Sequence, residues 1–409
     1  MHSKYQTGSF ELMKTMNRSL ILNTIREKGP VSRAEIAKLT ELTPPTVSNV
    51  VKQLLASGIV IETTQGESNG GRKPTMLIIN AQNFYVVGLD VGPKVIRFAL
   101  TDLNGSIMHH LELSIDVGVH NHGLLELMKR GIQTLITKIS PEREKMIGIG
   151  IGMHGIVDVD QGMSKFAPNL NLRDIPIKAT LEETFGVVVK VENDARVMAL
   201  GEVWFGQGQN YRHVMTVNVG HGIGAGLTIN GELYHGHSFL AGEIGHMSID
   251  LSGPKCPCGS YGCLQTFASG PAIAERVKKE LASGQASSIN EHIDHLDQIN
   301  GKMVYDAAQE GDELCLNILQ QTGRYLGIGL TNLIHVINPE YIILTGGVAK
   351  AGDILLDPIK ATIAERGITS AAKQTKVAVS KLGDHSAAVG AVTLILTELF
   401  SSDSSHISA

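Results

Sequence analysis

The chain has 409 residues, 43% of them hydrophobic and 18% charged, with 45 glycines and a formal net charge of -5. That length and composition exclude a small stapled scaffold and a disordered polymer, and they point to two or three domains rich in tight turns or ligand-approaching loops. No run of about 18 uncharged apolar residues occurs, and Lys4, Glu11, Lys14 and Arg18 precede no secretion-like apolar segment, so a cytoplasmic protein with no membrane partner is expected.

Charge divides the chain. Residues 1–80 hold ten lysines and arginines against six glutamates, while the remainder holds 25 against 34 acids, a basic head on an acidic body. In the head, Met13, Met16 and Leu20 at helical spacing predict a helix that stops at Gly29-Pro30. Ser32-Arg33-Ala34-Glu35 is a capping box that opens a second short helix through Leu39. Thr43 caps a third, in which Val47, Val50, Val51, Leu54 and Leu55 form the buried face. Thr46, Ser48, Asn49 and Lys52 lie on the other face, where a recognition helix needs small polar groups for base edges. Two strands, 59–62 and 76–79, flank a glycine-rich tip carrying Arg72 and Lys73, cations suited to phosphates or the minor groove. The pattern is a winged helix-turn-helix that would bind operator DNA through Thr43, Thr46, Ser48, Asn49, Lys52, Arg72 and Lys73. A protein-docking module of three helices and a hairpin is the competing reading.

The body reads as α/β. A meander of strands at 84–91, 95–101 and 106–115, turned at Asn104-Gly105, is followed by helices near 123–139 and 178–185 alternating with buried strands at 147–153 and 187–192. A second cycle has strands at 214–219, 225–229 and 341–344 and helices near 272–282 and 311–335.

Three thiols and an imidazole, Cys256, Cys258, Cys263 and His246, fall within eighteen residues. This donor set suits a closed tetrahedral zinc site, structural rather than catalytic; reduced cysteines on a loop beside an unrelated histidine are the alternative. Cys315 reads as a buried bystander. Asn193-Asp194 follows a strand at the edge where open α/β sheets collect ligands, and carboxylates with amides are the groups that bind sugar hydroxyls. The alternative for Asp194, a helix N-cap before Ala195, does not exclude sugar binding.

The motifs Val219-Gly220-His221-Gly222-Ile223-Gly224-Ala225-Gly226-Leu227, Ala241-Gly242-Glu243-Ile244-Gly245-His246, Cys256-Pro257-Cys258-Gly259-Ser260-Tyr261-Gly262-Cys263 and Thr345-Gly346-Gly347 resemble the ROK family of repressors and sugar kinases along the whole chain. The Gly70-Gly71-Arg72-Lys73-Pro74 tip resembles that of the family's repressors. Phe166-Ala167-Pro168-Asn169, Arg173-Asp174-Ile175 and Gly253-Pro254-Lys255-Cys256 are similar to the xylose-responsive members.

The resemblance implies an actin-like, sugar-kinase-like body of two lobes, residues 81–195 with a helix at 386–400, and residues 196–385 carrying the zinc and most of the pocket, behind a DNA-binding domain at 1–80. It implies sugar contacts at Gly155, Asn169, Asn193, Asp194, Glu243 and His246, with zinc on His246, Cys256, Cys258 and Cys263. Gln265 stands where the family has a sugar-binding glutamate and is expected to hydrogen-bond the effector in its place, and His154 stands where proline is common, so the effector stays open.

The rival expectation is an ATP-dependent sugar kinase with a DNA-binding head. The family's kinases carry Asp-x-Gly-Gly-Thr where this chain has Asp90-Val91-Gly92-Pro93-Lys94, and Gly-Thr-Gly where it has Gly220-His221-Gly222. Pro93 removes an amide and His221 a small hydroxyl from the phosphate cradle. The expected protein is therefore not an enzyme: a sugar-responsive repressor of carbohydrate, with xylose favoured, that uses no ATP and pairs as a homodimer or higher oligomer.

Overall fold

In the computed structural model the described residues are 10–65, 74–139 and 142–400. Gly70, Gly71, Arg72 and Lys73 of the wing tip lie outside them. Helix α1 (Phe10–Lys28) buries Ile21, Leu22 and Ile25. The helix expected from Met13, Met16 and Leu20 is there and stops before Gly29-Pro30, but those three residues are exposed and the opposite apolar face meets the core. After strand β1 (Val31–Ser32), helix α2 (Arg33–Thr40) opens on the expected capping box: the Glu35 amide donates to Ser32 Oγ at 3.2 Å and the Ser32 amide to Glu35 Oε2 at 2.8 Å. Helix α3 (Pro44–Ala56) starts from the Thr43 cap and buries Val47, Val50, Val51 and Leu54. Strands β2 (Val60–Gln65) and β3 (Thr75–Ile79) form the wing, and β1 adds a third strand against Met76 and Leu77. Two residues are too few to show the alternation by which a strand is read from sequence.

The body holds two five-stranded sheets of the same plan. In the first, β4 (Tyr85–Val91), β5 (Val95–Thr101) and β6 (Ile107–Ser114) make the antiparallel meander. Helix α4 (Asn121–Ile136) crosses over to β7 (Met146–Met153), parallel to β4. A separate small sheet of β8 (Ile156–Asp158), β9 (Met163–Ala167) and β10 (Leu172–Ile175) follows, in a stretch for which the sequence predicted no strand; these strands are three to five residues long. Helix α5 (Ile177–Phe185) leads to β11 (Val188–Asn193), parallel to β7, and then to α6 (Asp194–Phe205).

The second sheet repeats this order. Strands β12 (Val214–Val219), β13 (Ile223–Ile229) and β14 (Glu232–Leu233) form its meander. The short α7 (Gln265–Ala268) and helices α8 (Gly270–Ala282), α9 (Gly301–Gln309) and α10 (Glu313–Ile337) lead to β15 (Tyr341–Thr345), parallel to β12. Helices α11 (Asp353–Arg366) and α12 (Ser370–Lys373) precede β16 (Lys376–Val379), and α13 (Ser386–Phe400) follows it.

The closing helix of each cycle packs on the other cycle's sheet: α6 lies on β12 and β13, α13 on β4 and β7, and the two helices run against each other. Glycine makes these contacts possible. A Cβ on Gly150 would sit 1.8 Å from the Ala391 carbonyl oxygen, one on Gly88 2.0 Å from that of Ala388, and one on Gly390 2.0 Å from that of Val197. Backbone thus meets backbone with no side chain between. Among the described residues no helix is long and apolar enough to cross a membrane.

Candidate functional site

Between the two sheets lies a cleft of about 1450 Å³ whose walls include the β4–β5 turn, the loop after β7, the start of α6, the β12–β13 turn and the segment from Leu240 to His246. It brings together Gly155, Asn169, Asn193, Asp194, Glu243, His246 and Gln265. Gly155 has φ +88°, and a Cβ there would lie 2.2 Å from the Phe166 carbonyl oxygen, so only glycine fits where the loop turns into the cleft. Its own carbonyl accepts from Asn193 Nδ2 at 3.0 Å.

Asn193, not Asp194, is the N-cap of α6: its Oδ1 accepts from the amides of Ala195 at 3.0 Å and Arg196 at 3.4 Å. This rules out the alternative reading of Asp194 as the N-cap. The helix begins one residue earlier than spacing suggests, which leaves the Asp194 carboxylate in the first turn, facing the cleft. Burial lifts the Asp194 carboxyl above the ordinary aspartate range, against the pull of His154 and the helix amides. Burial pushes Asp90, on the facing strand end, up to about 6, with the Asp194 charge adding to the shift and Arg97, 3.3 Å away, opposing it. Glu243, though its side chain is exposed to the cleft, is lifted by partial desolvation there, with His246 opposing. Carboxylates lining a cleft can accept from hydroxyls, the chemistry that polyol recognition uses; Asp90 is buried, Asp194 half-buried and Glu243 exposed.

Behind them a buried network ties the lobes together. Glu192 accepts from Arg196 at 2.8 Å and pairs with His235 Nε2 at 2.7 Å, and Arg196 donates to the Phe239 carbonyl. The loop that carries Leu240 to Glu243 is thereby pinned to the end of β11. Sequence reading missed this network, and its one visible signal is the Glu192–Arg196 spacing of four at a strand-to-helix junction.

At the edge of the cleft, donor atoms of His246, Cys256, Cys258 and Cys263 all lie within 4.8 Å of one another. His246 Nδ1 and Cys256 Sγ are 3.6 Å apart, and Cys258 Sγ and Cys263 Sγ 3.7 Å. A tetrahedral ion with metal–sulfur bonds of about 2.3 Å separates its ligands by roughly 3.8 Å. These four residues could therefore hold a metal ion with small shifts of their donor atoms. Gly259 and Gly262, at φ +96° and +66°, make the tight loop that folds the thiols together. An amide hydrogen bond from Ser260 brings the Cys258 thiol down to about 7, whereas burial pushes Cys263 up to about 12. Gln265 Nε2 donates to Cys256 Sγ at 3.3 Å, so this residue, expected as an effector contact, also supports the cluster.

The phosphate-loop departures face the same cleft: Pro93 lines it from the β4–β5 turn and His221 from the β12–β13 turn. On the head, Thr43, Ser48, Asn49 and Lys52 are exposed on one side of α3, while Thr46 is half-buried with its hydroxyl 2.9 Å from that of Thr43. The two threonines are tied into the cap.

Comparison with known proteins agrees with this architecture. The ROK family model matches residues 86–398, and a winged helix-turn-helix DNA-binding model matches 17–61. The chain is 36% identical over 389 residues to a protein named xylose repressor from Bacillus subtilis strain 168, covering 94% of this chain and 96% of that one. A crystal structure described as a ROK family transcriptional regulator, homologous to an Escherichia coli MLC protein, superposes with a TM-score of 0.85 at 28% identity, covering 96% of this chain and 98% of the other. A ROK family glucokinase from Streptomyces griseus, solved with glucose and AMPPNP, superposes with a TM-score of 0.68 at 29% identity, covering 76% of this chain and 98% of the other. With a family match across the body and a DNA-binding module in front of it, the chain belongs to the ROK family.

Proposed function

We propose that this protein is a sugar-responsive DNA-binding repressor of carbohydrate-utilisation genes, with xylose the favoured effector, released from its operator when sugar enters the cleft. One observation carries the reading: a single chain joins a winged helix-turn-helix to a cleft that concentrates hydroxyl-accepting carboxylates while Pro93 and His221 stand in the phosphate-loop positions. Asp194 and Glu243 grip the sugar, supported by Gly155, Asn169, Asn193, His246 and Gln265. Thr43, Thr46, Ser48, Asn49, Lys52, Arg72 and Lys73 meet the operator.

His246, Cys256, Cys258 and Cys263 hold a structural zinc ion, and the soft donor set with its near-tetrahedral spacing supports that choice. A bound zinc would fix the Ile244–His246 turn beside Glu243 and so shape one wall of the cleft. The domains divide at 1–80, 81–195 with 386–400, and 196–385. The repressor works in the cytoplasm without ATP and pairs as a homodimer, since one small reading head needs two-fold pairing for useful specificity.

The test is operator release. Purified protein bound to its own promoter DNA is challenged with pentoses, hexoses and N-acetyl sugars; one of them should displace it, and Asp194→Asn should keep DNA affinity while losing the response. The retained Asp194, which in a kinase would deprotonate the sugar hydroxyl, favours the second reading, an ATP-dependent sugar kinase. Phosphorylation of a sugar by the purified chain with magnesium and ATP would replace the first reading by the second.

A further inference from the structure

His154 stands in the cleft wall just past the end of β7, with 6% of its surface exposed. Its Nδ1 lies 2.9 Å from the Val91 carbonyl oxygen. A carbonyl only accepts, so Nδ1 must carry the ring proton. In the neutral ring Nε2 is then a bare acceptor, and among the described residues it is buried without a hydrogen-bond partner. A buried acceptor left without a donor is costly, and such groups are retained where a ligand completes them. The ring also lies close to Asp194 on its own lobe and to His221 on the other.

Resting on the sugar-sensor reading, we propose that His154 Nε2 accepts a hydrogen bond from one hydroxyl of the effector while Asp194 accepts from another, making His154 a specificity-determining residue. The pair is suited to a polyol with two hydroxyls close together in space. Because the tether to Val91 forbids the opposite tautomer, this position takes a donating hydroxyl and rejects a ligand that offers only an ether or carbonyl oxygen there. Selection works by leaving both acceptors unpaired when such a ligand enters.

The test uses the full chain and a panel of free sugars with their monodeoxy and O-methyl analogues, read by calorimetry. His154→Asn keeps an amide donor for the Val91 carbonyl and removes the distal acceptor. It should weaken binding of the effector by about threefold to tenfold, the worth of one neutral hydrogen bond. One monodeoxy analogue, lacking the contacted hydroxyl, should bind the variant and the unaltered chain equally. Operator affinity without sugar should not change, which shows that the variant is folded. In the free unaltered chain the ¹⁵N resonance of Nε2 should be that of an unprotonated imine nitrogen. Undiminished effector binding by His154→Asn, or an equal loss for every monodeoxy analogue, overturns the role of His154 while leaving the sensor reading standing. Failure of the unaltered chain to bind any sugar of the panel overturns both.

Discussion

The guanidinium of Arg26 lies 4.0 Å from the ring centroid of Trp204 and 5.2 Å from that of Phe400. Arg26 belongs to α1 of the DNA-binding head, Trp204 to the last turn of α6, and Phe400 to the last turn of α13. Asn23 fastens the same joint by donating to the Phe400 carbonyl at 2.9 Å. The head therefore rests on the far ends of two helices whose first residues, Asp194 and Ser386, line the cleft. Trp204 is the only tryptophan of the sequence, so its emission reports this joint alone. Arg26→Ala should shift that emission, lower the stability of the head's attachment by about 0.5–2 kcal/mol, and weaken operator release by the effector more than operator binding itself. Fluorescence spectra and urea unfolding of both proteins check the first two effects, and operator titrations with and without effector check the third.

Asp90 gives a pH signature. Its folded value, about 6, lies above its ordinary 3.8, so the folded state holds this proton more tightly than the unfolded chain does. The resulting stabilisation is complete below about pH 4 and is lost as pH rises through about 6. Relative to Asp90→Asn, the native protein should fall in melting temperature between those two values and stay at a constant deficit above them. A melting-temperature difference that does not change from pH 4 to 8 would show that Arg97 fully compensates the charge.

Chelation should unfold the region around the thiol cluster. Purified protein should carry about one zinc per chain, and Cys258→Ser should lose it together with the sugar response. Gln265→Ala removes the amide donor to Cys256 and should weaken metal affinity by about tenfold or more, measured by competition with a chromophoric chelator.

The glycine contacts are testable by adding one methyl group. Gly150→Ala would drive a carbon to 1.8 Å from the Ala391 carbonyl oxygen and should cost at least about 1–3 kcal/mol in urea unfolding. Gly118→Ala serves as the control: nothing lies within 4 Å of its added carbon, and only its positive φ of +79° is disfavoured.

On the recognition helix, Asn49→Ala should erode discrimination between operator and random DNA by about 1–3 kcal/mol, whereas Lys52→Ala should weaken both and flatten the salt dependence. Binding curves on the two DNAs across a salt series separate the two outcomes.

Where local chemistry is strong the sequence is legible. The Ser32–Glu35 box, the Thr43 cap, the Asn104-Gly105 turn and the cysteine loop each specify their geometry within a few residues, and the structure has each of them. What escaped reading depends on residues far apart in the chain. The joint of Arg26 with Trp204 and Phe400 spans nearly the whole chain, and the pinning of the 234–242 loop by Glu192 and Arg196 needs the two lobes placed side by side. Met13, Met16 and Leu20 show where local signal ends: their spacing marks a helix, which is present, but which face is buried is decided by what packs against it.

The exchange of α6 and α13 between the two sheets also sets an order of events at the ribosome. The sheet that begins at Tyr85 receives its covering helix only when Ser386–Phe400 has been made, and the head, built from the first residues, gains its seat on Phe400 at the same moment. Until then Gly88 and Gly150 present bare backbone, and the first sheet lacks one of its covering layers. A half-synthesised chain thus has a reading head with nothing to control it and a cleft with one wall. Regulation by sugar therefore waits on α13, the helix that both covers the first sheet and seats the head.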